Sequence, residues 1–318
     1  MGNYAVDPHY GLPYVMAWNL DIQRTLPLGI VMNLGYNGSR SDHLDVKLAP
    51  RALPTSPGTN PTNLVFDYDE AEAFYKMNQG TVRVNKRLSK GVSLGANYQY
   101  SHMIDDATSV NGSGGSLVQN WQNLAAEEGH SVLDLRHQVS GTYLFELPFG
   151  KDKYWLTTGV ASHIAEGFSV SGSFTFASGG WLSPTYTYNE ANVACGTAGA
   201  LRANLTGISP TAGGGTLRQW FNPAAYSEPS PTPGFCNGFG TAPRNSIEGP
   251  GTVTNNMSLS KTMQLGDTRS MEIRAVLSNA FNTVQYNGIG TTEGTPQFGE
   301  VTSVGQMRQF QFLARFRF

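Results

Sequence analysis

Residues 310–318, Phe-Gln-Phe-Leu-Ala-Arg-Phe-Arg-Phe, are the stretch that most restricts how this chain can fold. Side chains on a β-strand point to opposite faces in turn. Phe310, Phe312, Ala314, Phe316 and Phe318 therefore fall on one face, and Gln311, Leu313, Arg315 and Arg317 on the other. A strand divided this sharply lies between an apolar medium and a wet one. Two settings provide that boundary: the wall of a membrane barrel, or a half-buried edge strand of a soluble sandwich. Soluble proteins avoid exposed aromatic edge strands because such edges aggregate, which favours the membrane.

Composition narrows the choice. No apolar run approaches the roughly 20 residues of a membrane helix, so a helical membrane protein is excluded. A barrel is not, because only every second strand residue need face lipid. Charged residues make up 14 % of the 318, the net charge is −2, and there is no basic tract. No nucleic-acid partner is expected. The opening residues, Met1-Gly2-Asn3-Tyr4-Ala5-Val6-Asp7, lack a basic region followed by an apolar core and are not a secretory signal. An outer-membrane protein needs one, so the chain is expected to begin inside a longer protein.

The same alternation recurs along the chain. Strands are expected at 13–24, 30–37, 75–86, 92–101, 137–147, 167–177, 253–263, 271–281 and 306–318. Residues 154–166 read either as a short helix or as a pair of strands. The fold class is therefore all-β, an antiparallel meander of about nine strands forming part of a transmembrane outer-membrane β-barrel. Connections alternate short and long, as tight periplasmic turns and large extracellular loops do. Phe174, Tyr98, Ile273 and Phe312 should face lipid; Ser173, Asn97, Arg274 and Gln311 should face water. An odd number of hairpin-linked strands cannot close antiparallel, so an open sheet with the 13–24 and 306–318 strands as its edges is expected.

The ordered segments also resemble one family. Trp18-Asn19-Leu20-Asp21-Ile22-Gln23-Arg24 precedes Gly35-Tyr36-Asn37-Gly38-Ser39-Arg40. Further on come Asp134-Leu135-Arg136-His137-Gln138, Glu146-Leu147-Pro148-Phe149-Gly150, Trp220-Phe221-Asn222-Pro223, Pro243-Arg244-Asn245-Ser246 and Asn279-Ala280-Phe281-Asn282. In this order they resemble the C-terminal barrel region of Oar-like TonB-dependent outer-membrane receptors of acidobacterial type. The resemblance implies a barrel of about 22 strands with a lumen plug and energised uptake through an inner-membrane TonB complex. It also implies a place in the outer membrane and a small-molecule or polymer substrate, such as an oligosaccharide, bound by extracellular loops. Residues 1–318 would be a partial barrel domain, without plug, signal peptide or N-terminal regulatory-like domain. The terminal aromatic strand, Phe310, Phe312, Phe316 and Phe318, resembles the signal read by the barrel-assembly machinery.

Glu272, Arg274, Arg315 and Arg317 are candidate lumen charges, tuning what passes or pairing with one another. Ser101, His102, Asp105 and Asp106 invite a hydrolase reading, but such constellations are set by geometry rather than local spacing. Asp67, Asp69, Glu70 and Glu72 offer oxygen ligands of the kind calcium takes, without an EF-hand pattern. Trp181, Tyr186 and Tyr188 could stack on a sugar or pack within a loop. Cys195 and Cys236 are too few for a disulfide framework and lack zinc-type spacing. Both lie in the longest loop, placed outside the cell where disulfides persist, and a bond between them is expected. No cofactor, metal or enzymatic activity is expected. The alternatives to a transporter are a small self-contained barrel acting as adhesin or pore, and an outer-membrane hydrolase.

Overall fold

A computed structural model describes residues 3–48, 66–107, 118–120, 123–151, 153–186, 201–229, 239–266 and 268–318. Nine principal strands follow one another: β1 Tyr14–Leu26, β2 Ile30–Leu48, β3 Phe66–Ser89, β4 Val92–Asp105, β5 His137–Glu146, β6 Phe168–Ala177, β7 Thr252–Gln264, β8 Ser270–Ser278 and β9 Gln309–Arg317. Each pairs antiparallel with the next in chain order, so the sheet is a plain meander. Among the described residues no pairing joins β1 to β9, which leaves these two strands as its edges. No helix among the described residues is long and apolar enough to cross a membrane.

Register shows why these residues make one wall, since directly opposed residues share a face. Ile22, Leu34, Val82 and Tyr98 lie in one continuous row. Val139, Phe176 and Val253 continue it on the other side of Tyr98. Leu259, Ala275 and Phe312 form a second row at the far edge. The opposite face carries Asn97, Ser140, Thr175 and Thr254. There Ser169 and Ser260, and Ser171 and Ser258, meet hydroxyl to hydroxyl at 2.8 Å. The apolar face is exposed at Leu20, Ile22, Phe176, Ile273 and Phe312, so the sheet has no dry core on that side. Ile273 and Phe312 thus stand exposed on the expected face, opposite that of Arg274 and Gln311.

The two ends of the wall differ. At one end the turns are short and set by left-handed residues. Lys90 (φ 52°) and Gly91 (φ 77°) form the two-residue link between β3 and β4. Positive φ at both positions is the turn whose twist matches a hairpin. The exception at this end is the connection from β5 to β6, where α1 (Gly159–Ala165) settles the ambiguous stretch as a helix. Lys261 donates to the Ile164 carbonyl at 2.5 Å and ties α1 to β7.

At the other end the strands run on past their expected limits. Residues 38–74 read from sequence as a polar loop. Instead β2 continues to Leu48 and β3 begins at Phe66, with a bulge between Ser41 and Asp45 where His43 adopts φ 58°. The physical reason is a small core on these extended strand ends, in which Val46, Leu48, Ala73 and Val118 bury one another. A second core lies in the connection between β6 and β7, built from Ala203, Phe221, Ala225, Tyr226, Ala242 and Ile247. Phe221, Tyr226 and Phe298 meet edge-on there, with centroids 5.0–5.8 Å apart. The described parts of the long loops thus form a packed cap. At the far edge β8 stops at Ser278, short of the expected 281, because Asn279 and Asn282 turn the chain with φ 48° and 55°.

Candidate functional site: the loop cap

The cap is held to the wall by buried charge. Arg244 reaches the end of β4, donating from Nη2 to the carbonyl and the carboxylate of Asp105, and from Nε to the Glu127 carbonyl at 2.7 Å. Arg202 donates to Glu127 Oε2 at 2.6 Å, to the Ala242 carbonyl at 2.8 Å and to the Ala126 carbonyl at 3.1 Å. Gln119 completes the knot: its side-chain oxygen accepts from the Arg202 and Gly240 amides while its amide donates to the Gly240 carbonyl. Buried charges persist only when paired and hydrogen-bonded, and here four separate chain segments supply the partners. Gly240 is obligatory, since a Cβ there would lie 1.7 Å from the Arg202 carbonyl oxygen.

Beside this knot lies a second polar group, on the face of Tyr98 and Tyr100. His102 comes from β4, while His130 and Asp134 come from the segment that follows the short 124–127 helical turn. Residues 129–130 pair with β4 at Ile104 and Asp105. The Ser131 amide donates to the Met103 carbonyl, and Ser101 binds both the Arg136 and Leu135 carbonyls through its amide and hydroxyl. Asn245, held at φ 49°, donates to the His130 carbonyl at 2.6 Å. The His130 ring stacks on Trp181 at 3.7 Å between centroids, nearly parallel. His130 Nδ1 lies 3.1 Å from Asp134 Oδ2, His102 Nδ1 3.6 Å and Arg136 Nη2 3.4 Å. Burial pulls the His130 imidazole below its usual value, against the upward pull of Asp134, so the ring favours its neutral form. Burial also pushes the Asp106 carboxyl up to about 6, although the Phe74 amide donates to it at 2.8 Å.

The hydrolase grouping is split by these contacts. Ser101 faces Leu135, His102 faces Asp134, Asp105 is taken by Arg244, and Asp106 by the Phe74 amide. The acidic run in β3 does not converge either: the strand puts Asp69 on one face and Glu70 and Glu72 on the other, and the Asp67 side chain is outside the described residues. Trp181 is spent on His130, and the Tyr186 hydroxyl donates to Glu228 at 2.5 Å. Tyr188, Cys195 and Cys236 lie outside the described residues. On the wet face of the wall Arg274 pairs with Glu272 at 2.5 Å within β8, Arg315 stands opposite Glu272 in register, and Arg317 opposite Ser270. Phe310, Phe312 and Phe316 line the apolar face of β9, with Phe318 just beyond, and all four are exposed. Sequence reasoning missed Glu127, Arg202 and Arg244 as a unit. The only signal was the rarity of charge in loops otherwise made of Gly, Pro, Ser and Thr.

An alternating two-faced meander, apolar outside and polar inside, with packed loops at one end, defines the wall of an outer-membrane barrel. The chain belongs to the outer membrane beta barrel domain family, whose model matches residues 1–311. No curated protein matches it. Among solved structures, the outer membrane transporter YddB from Escherichia coli shares the fold at a TM-score of 0.52 and 10 % identity, over 99 % of this chain and 34 % of that one. The ferripyoverdine receptor of the outer membrane of Pseudomonas aeruginosa aligns at a TM-score of 0.46 and 13 % identity, over 96 % of this chain and 27 % of its own. This chain thus spans about a third or less of the length of the proteins it resembles. Its place is the outer membrane.

Proposed function

We propose that residues 1–318 form part of the barrel of a TonB-dependent outer-membrane receptor of the Oar-like type, whose loop cap binds a substrate outside the cell for import through the lumen. The observation that carries this is the pairing of a largely apolar face that runs across all nine strands with, among the described residues, a packed cap at one end. By the rule for such barrels, the short-turn end faces the periplasm and the cap the exterior. Two unpaired edges favour a larger barrel over a small self-contained pore, because hydrocarbon cannot satisfy strand-edge amides and carbonyls, at several kcal/mol each. In this reading further strands, a plug and contact with TonB come from elsewhere in the receptor, the barrel-assembly machinery reads the terminal aromatic strand, and the substrate is a small molecule or a polymer such as an oligosaccharide.

The test is uptake by cells expressing the intact outer-membrane protein, with candidate nutrients supplied singly. Import that requires both the inner-membrane energy complex and the segment 201–248 supports the proposal. Import that persists after that complex is deleted, or discrete single-channel conductance from the 318-residue chain alone, overturns it.

A further inference from the structure

We propose that His102, His130 and Asp134 form a binding site for a divalent transition metal of the zinc class on the outer rim of the wall. One ligand atom from each residue lies within 4.8 Å of the others. The two histidine nitrogens stand 3.1 and 3.6 Å from Asp134 Oδ2. Ligands held about 2.0–2.2 Å from a tetrahedral ion lie roughly 3.4 Å apart, so the two histidine–aspartate separations are close to those of a coordination shell.

Unsatisfied atoms give a second, independent reason. The Asp134 side chain is 0 % exposed, yet its Oδ1 has no hydrogen-bond partner, and His102 Nδ1 has only the 3.6 Å approach of Asp134 Oδ2. Native interiors rarely leave buried polar atoms unpaired, and a bound ion is one of the recognised partners for such atoms. The frame is rigid before any ion arrives. His130 is clamped by its stack on Trp181 and by Asn245 on its carbonyl, while Asp134 sits in a turn whose amide donates to the Ser131 carbonyl. The two histidine side chains are 38 % and 27 % exposed, which puts the cluster at the surface of the rim with the carboxylate beneath it. Two imidazoles and one carboxylate suit zinc, nickel or copper; calcium and magnesium take oxygen ligands. Arg136, on the same carboxylate oxygen, opposes the ion's charge and keeps the site weaker than a structural zinc centre.

The intact outer-membrane protein, purified in detergent and stripped with chelator, is titrated with Zn²⁺ by calorimetry. One saturable equivalent is expected. His102→Gln and Asp134→Asn should each weaken it by more than the roughly 10–100-fold typical of losing an outer-shell partner. Heat-modifiable migration checks that each variant keeps its barrel. A readout that needs no variant is carbethoxylation mapped by mass spectrometry: Zn²⁺ should protect His102 and His130 and leave the exposed His9 reactive. Absence of saturable Zn²⁺ binding, undiminished affinity in both variants, or unprotected His102 and His130 would each overturn the proposal.

Discussion

Ala275 and Val276 are neighbours in the middle of β8, and hydrophobicity alone would give valine to the lipid. Register gives the reverse. Ala275 lies between Leu259 and Phe312, whereas Val276 lies between Ser258 and Gln311. Val276 also borders an open depression of about 420 Å³ on the wet face, shared with Ser171, Ser173 and Asn256. An arginine at position 276 has room and water there. An arginine at 275 enters the hydrocarbon near the middle of the span, which costs about 2–4 kcal/mol. That is roughly a 30- to 900-fold shift in the folding equilibrium. Both variants of the intact protein would be unfolded reversibly from lipid vesicles with denaturant, following tryptophan fluorescence. Ala275→Arg should lower stability by the full amount and Val276→Arg by less than about 1 kcal/mol, the range for the wet or interfacial positions of such walls. Equal losses, or a larger loss at 276, would refute the assignment of faces for the whole sheet, because one register fixes them all.

Arg244→Ala strands Asp105 as an unpaired buried charge, a loss of about 3–5 kcal/mol. It should appear as faster hydrogen exchange in 239–248 with the wall unchanged. Gly141→Ala places a methyl 2.6 Å from the Phe174 ring and from the Gly95 carbonyl oxygen, an overpacking that costs about 1–3 kcal/mol, measurable in the same vesicle assay. The folded pKa of Asp106 is about 6, raised from 3.8, so its contribution is fully present below pH 3.8 and is lost as pH rises through 6. Stability in the vesicle assay should therefore fall between about pH 4 and 6, and Asp106→Asn should remove that part of the fall. Cys195 and Cys236 should appear as one linked peptide in non-reduced digests; two separately alkylated thiols would refute the bond.

Much of the wall was legible because period-two alternation is local. Each strand announces itself through its own residues, as Val92, Leu94, Ala96, Tyr98 and Tyr100 do in β4. The short turns were legible for the same reason, through Lys90-Gly91 and its counterparts. What failed was the outer part of β2 and β3, residues 38–48 and 66–74, whose Ser, Asp and Lys content reads as loop. Those strands persist because Val46, Leu48 and Ala73 find Val118, more than forty residues away in the chain. Contacts at that distance leave no local trace. The same holds for the rim cluster. His102 was noticed beside Asp105 and Asp106, its sequence neighbours, yet its partner is Asp134, brought in by the pairing of 129–130 with β4.

The two rims of this wall are stabilised by different physics. At the short-turn end a local backbone sign change closes the hairpin, Leu28 at φ 67° before Gly29 at φ 73°, or Lys90 before Gly91 with the nearby Lys86 donating to the Ser89 and Val92 carbonyls. Such turns make few demands on sequence. At the cap, segments separated by 75 to 139 positions meet through Arg202–Glu127 and Arg244–Asp105, and their ordering entropy must be offset by buried contacts. A cap made this way is specific in shape, because a buried guanidinium accepts few alternative partner sets. It is also vulnerable, because any partner lost leaves a charge in a dry place. A rigid outward surface is what ligand recognition requires if binding is not to be spent on ordering loops. The buried ion pairs are therefore what holds the described part of the cap folded against the wall.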